Sequence, residues 1–84
     1  MKLALTDRQK EIVSSLRAKD AGKNAAAFNS LEKGVMTFAD IDALCGIINA
    51  EFMMEGILPT FEPNLYGLEL ERLLDLINRP RLSS

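Results

Sequence analysis

Residues 37 to 56 read TFADIDALCGIINAEFMMEG, and this stretch decides the fold. At 100° per residue, Phe38, Ile41, Leu44, Cys45, Ile48 and Phe52 fall on one face, the spacing of a helix buried along one side. Thr37 stands where an N-cap belongs, with Asp40 three residues on in the capping-box position, and Gly56 before Ile57 predicts a left-handed C-terminal cap. A second, smaller apolar row lies opposite: Ala39, Ala43, Ile47, Ala50 and Met54. A helix apolar on two sides is expected at the centre of a bundle, and small residues on the second side let a neighbour approach closely or a partner dock.

Upstream, Thr6 with Gln9 forms another capping box ahead of Ile12, Val13 and Leu16, predicting a helix over 7–21. Asn24 is expected to cap a short helix over 25–33, which carries Phe28 and Leu31 and stops at Gly34. Downstream of the central helix, 38–55, the segment ILPTFEP at 57–63 holds two prolines and cannot continue it. It reads as an apolar loop folded back over the core, or else one presenting Phe61 to a partner. Asn64 then caps a helix over 65–78, with Tyr66, Leu70, Leu73, Leu74 and Ile77 inward and Pro80 marking its end. Leu65, Leu68 and Leu76 fall outside that face and offer a small association edge. The expected fold class is all-α: a compact bundle of about four helices, 7–21, 25–33, 38–55 and 65–78, around a central third helix, in one domain.

A chain of 84 residues buries only about 60% of its unfolded surface, so its stability margin is narrow. No apolar run approaches the roughly 20 residues that span a bilayer. The opening residues run straight into Asp7, Arg8, Lys10 and Glu11, leaving no signal-peptide core, and a cytoplasmic location is expected. The charge is unevenly placed. Residues 1–35 carry seven basic and four acidic groups, whereas residues 36–78 carry one basic group, Arg72, and eight acidic ones. That acidic half repels polyanions and steers toward a basic partner.

The absence of histidine removes the usual general base and the usual metal ligand, and the five glycines are scattered singly, without a phosphate-cradling pattern. Glu51 with Glu55, and Glu71 with Asp75, stand one helical turn apart and read as solvated faces rather than cation sites; Glu69 and Glu71 oppose the dipole at the start of the last helix. Asn29 to Asp40 has the outline of an EF-hand loop, but Leu31 and Lys33 sit where oxygen ligands are required. A DNA-binding helix-turn-helix about Gly34 would send Asp40 and Asp42 toward phosphates.

No enzyme, cofactor, metal, nucleic-acid or membrane role is therefore expected. What remains is a small acidic protein-binding domain, an inhibitor of immunity or antitoxin type that engages a basic protein. Its expected contacts are Asp40, Asp42, Glu51, Glu55, Phe61, Glu69, Glu71 and Asp75. The alternative is a self-associating assembly protein of phage or plasmid type, using the leucine edge and the Ala/Met row. Cys45, the sole cysteine, lies on the inward stripe and reads as a small buried hydrophobe. A thiol reagent is accordingly expected to label Cys45 slowly in native protein and readily after denaturation; rapid native labelling would place it outside the core.

Overall fold

Two capping boxes set where the chain begins its helices. Thr6 accepts the Gln9 N–H at 3.1 Å while the Gln9 side chain accepts the Thr6 N–H at 2.9 Å. Thr37 and Asp40 repeat the exchange at 3.1 and 3.0 Å. The computed structural model describes residues 5–60 and 62–82. Over these it has four helices: α1 (Asp7–Asp20), α2 (Ala25–Lys33), α3 (Phe38–Glu55) and α4 (Leu65–Leu82). The all-α bundle is the observed architecture, with α3 packed against both α2 and α4.

The core is built from the stripes that the helical period marks. Ile12, Val13 and Leu16 come from α1, Ala27, Phe28 and Leu31 from α2, Ile41, Leu44, Cys45 and Ile48 from α3, and Leu70, Leu73 and Ile77 from α4. Burying an aliphatic or aromatic side chain of this kind contributes roughly 1.5 to 3 kcal/mol, and that is the main driving force for closing short helices on one another. Gly34 ends α2 in the left-handed region, φ 74°, with its N–H bonded to the Leu31 carbonyl and the Val35 N–H to that of Ser30.

The corner between α3 and α4 is the tightest part of the fold. A Cβ added to Gly67 would fall 2.2 Å from the Gly56 carbonyl oxygen, and one added to Gly56 would fall 3.0 Å from the Gly67 Cα. Two backbones touch there, so neither position has room for a side chain. Asn64 binds both helices across this corner: its amide donates to the Glu55 carbonyl at 2.9 Å, and its carbonyl oxygen accepts the Gly67 N–H at 2.7 Å. The intervening loop is closed by an isolated antiparallel bridge between Ile57 and Pro63 and by the Leu58 N–H on the Glu62 carbonyl. Ile57 is half-buried and Leu58 exposed, so the loop covers the core only in part; Phe61 lies outside the described residues.

Five local expectations are corrected. Gly56 has φ −101°, not a left-handed cap; the residue is glycine because of Gly67, not because of its dihedral. Asn24 makes no side-chain cap to α2; the Asp20 carboxylate instead accepts the Asn24 N–H and amide, and the turn passes through left-handed Ala21 and Gly22. Phe38, placed on the inward stripe by period, is exposed, because it occupies the first position of α3, at the edge of the buried arc. Ala43 and Ile47, placed on the outer row, pack against the core, because the neighbouring helices cover a wide arc of α3. Finally, α4 continues through Pro80 to Leu82. Proline removes a single intrahelical N–H, and in the final turn that loss is small.

Gly67→Ala is expected to destabilise the protein by at least about 3 kcal/mol, because the methyl group meets backbone that cannot rotate away. Denaturant titration is the check, and an unchanged midpoint would mean the corner is looser than described.

Candidate docking surface

The other helices converge on α3, and they cover it on one side. Along its outward side the middle is small, with Ala39, Gly46 and Ala50 all exposed. The ends are long: Phe38 is 57% exposed, Met53 69% and Met54 77%. Asp42 and Asn49 are the polar residues among them. Val35, 72% exposed, precedes the helix, and exposed Leu65 and Leu68 start α4, which the Gly56–Gly67 contact holds beside the end of α3. Large exposed apolar side chains thus gather at both ends of α3. A Cβ on Gly46 would meet nothing within 4 Å, so no contact among the described residues accounts for a mid-helix glycine that costs about 1 kcal/mol relative to alanine. Beside this face, a groove of about 120 Å³ runs between α3 and α4 over Ile48, Phe52 and Leu74, with Asn49 and Glu71 at its rim.

On the opposite side of α3 the structure places a polar cleft of about 310 Å³ between α1, α3 and α4. At its base Glu51 is buried, accepting Lys19 Nζ at 2.8 Å and the Tyr66 hydroxyl at 2.7 Å on the same oxygen. Burial pushes the Glu51 carboxyl up, but these two bonds outweigh it and hold the group below the ordinary glutamate value. The same arrangement raises the Lys19 ammonium. Burial first, then the Glu51 hydrogen bond and charge, push the Tyr66 phenol up to about 12. Glu51, Lys19 and Tyr66 are thus bonded into one network, with Arg8, Glu11, Ser15 and Glu55 also lining the cleft.

The eight residues expected to meet a partner are divided by the fold. Asp40 closes the α3 capping box, and its carboxyl is held low chiefly by the Thr37 N–H. Glu51 is buried in the cleft. Glu69 is gripped by Arg8 through two bonds, Nε at 2.6 Å and Nη2 at 3.1 Å, so it ties α4 to α1. Asp42, Glu55, Glu71 and Asp75 are exposed, with Asp42 on the outward face of α3. Phe61 is outside the described residues. The Glu51 network was missed although its signal was present: Glu51 follows Leu44 by seven residues and Ile48 by three, which puts it on the inward arc. Among the described residues no cluster of three or more Cys, Asp or Glu is placed to hold a metal, and no helix is long and apolar enough to cross a membrane.

Compared with protein-family models, with curated proteins and with solved structures, the chain matches none.

Tyr66 is the only tyrosine, so its ionisation is read directly by ultraviolet absorbance. The expected midpoint is about 12 against an ordinary 10.0, and Glu51→Gln brings it down toward 10.0. Because the folded value is raised, the stability this phenol contributes is present in full below pH 10.0 and is lost as pH rises through about 12. A native midpoint at the ordinary value would break the Tyr66–Glu51 bond as described.

Proposed function

We infer that this chain is a small protein-interaction domain without chemistry of its own, which docks another polypeptide on the outward face of α3. One observation carries the reading: α3 has apolar side chains on every side, yet its own chain covers only one side and leaves Phe38, Met53 and Met54 exposed on the other. A helix of that composition is normally enclosed, and an exposed apolar face framed by polar surface marks a contact site. A cytoplasmic setting accords with the single, buried thiol.

A second reading is supported by Glu55, Glu62, Glu71 and Asp75, all exposed on the acidic half. These are the carboxylates with which an inhibitor of immunity or antitoxin type would steer a basic partner. Asp40, Glu51 and Glu69 are engaged within the chain, so this acidic surface is thinner than the charge count implies.

The two readings separate by capture from source cells on immobilised protein. With docking on α3, Ala50→Glu abolishes retention of the bound polypeptide, while Glu71→Lys with Asp75→Lys leaves it, and added salt changes little. The reverse pattern, retention lost on charge reversal or with salt but kept by Ala50→Glu, would overturn α3 as the docking face.

A further inference from the structure

The first helix is seated differently from the rest of the bundle. α3 lies closely along both α2 and α4, whereas α1 runs close along none of the three, and the cleft of about 310 Å³ opens beneath it against α3 and α4. Three large side chains, Ile12, Val13 and Leu16, carry its apolar contact with the core. Its bonds across the bundle are made by long cations: Arg8 to Glu69, Arg17 to Glu32 and Asn29, and Lys19 to Glu51. Of these three carboxylates only Glu51 is buried, with 8% of its side chain exposed, so water screens the other two pairs. At its far end α1 leaves through left-handed Ala21 and Gly22, and a Cβ on Gly22 would meet nothing within 4 Å.

We propose that α1 is a separately opening strap, which swings off as a unit about the turn at 21–24 while α2, α3 and α4 stay folded together. Proteins open in such units where few contacts join one element to the rest. Ten of the thirteen buried apolar residues described belong to α2, α3 and α4, and the Gly56–Gly67 contact and the Asn64 bonds that join the last two lie outside α1. What remains after α1 leaves therefore keeps most of its core and its tightest corner. The Lys19–Glu51 bond is the latch. A closed α1 without that ammonium leaves a buried carboxylate bonded by the Tyr66 hydroxyl alone among the described residues, whereas opening returns Glu51 to water. The open form thus presents an apolar seat that the closed form lacks, the one Ile12, Val13 and Leu16 fill, on the side of the bundle away from the outward face of α3.

Amide hydrogen exchange of the full chain, followed by NMR through low concentrations of denaturant, tests the strap. The Leu16 amide in α1 is expected to exchange at least about tenfold faster than those of Leu44 in α3 and Leu73 in α4, and to respond less steeply to denaturant, because a partial opening exposes less surface than global unfolding. Two variants separate the openings. Asn64→Ala weakens the α3–α4 corner and is expected to speed exchange at Leu44 and Leu73 about fivefold while leaving Leu16 unchanged, since α1 opens without breaking that corner. Lys19→Met is expected to speed all three about tenfold, because partial and global opening both start from the closed form and both relieve Glu51. Equal rates and equal denaturant slopes at the three amides in the unaltered chain, or a Leu16 amide that follows Leu44 in Asn64→Ala, would mean that α1 opens only with the whole molecule and would overturn the strap. Leu16 exchange indifferent to Lys19→Met would overturn the Lys19–Glu51 bond as its latch.

Discussion

The contact between the Gly56 and Gly67 backbones determines much of what the rest of the molecule can do. Because no side chain separates them, α4 turns back close against the end of α3, and Phe52 packs against Gly67 at the mouth of the corner. Asn64 reinforces the turn by serving the last carbonyl of one helix and an early N–H of the next. With the corner closed, Leu70, Leu73 and Ile77 are delivered onto Ile41, Leu44 and Ile48 in a single core. The same closure carries Leu65 and Leu68 to the end of α3, which is why exposed apolar side chains accumulate there.

Polar contacts between helices orient the bundle more than they drive it. Arg8 reaches Glu69 from α1 to α4, Arg17 joins α1 to Glu32 and Asn29 of α2, and Lys19 meets Glu51 of α3. So α1 is joined to each of the other helices by a separate cation. The exposed pairs contribute little, because water screens them. Glu51 is different in kind: removing Lys19 or Tyr66 would leave a buried carboxylate short of a partner, and that asymmetry makes the network selective for one packing of α1 over α3 and α4.

The functional picture turns on an imbalance. A central helix in a larger bundle is enclosed on all sides, but here three partners are too few, and the side of α3 left over has small residues flanked by long apolar ones. Acidic residues that seem in the sequence to form one outward-looking group serve several purposes: one closes a cap, one sits at the base of a cleft, one holds an arginine, and the others face solvent. A contact surface in this protein is thus argued from uncovered apolar area more than from net charge.

Read alone, the sequence determined the helices and their inward stripes, because capping boxes at Thr6 and Thr37, the left-handed stop at Gly34 and the 3.6-residue period are all local properties of neighbouring residues. It also carried the burial of Cys45 and the capping role of Asn64. Periodicity could not say how wide an arc of α3 the other helices would cover, so Phe38 was assigned inward and Ile47 outward. Nor could it find the reason for Gly56 and Gly67, eleven residues apart and touching only once α4 folds back. The partners of Glu51, thirty-two and fifteen residues away at Lys19 and Tyr66, were beyond local reading for the same cause. Which charges remain on the surface is a property of distance in space, and only the packing of the helices decides it.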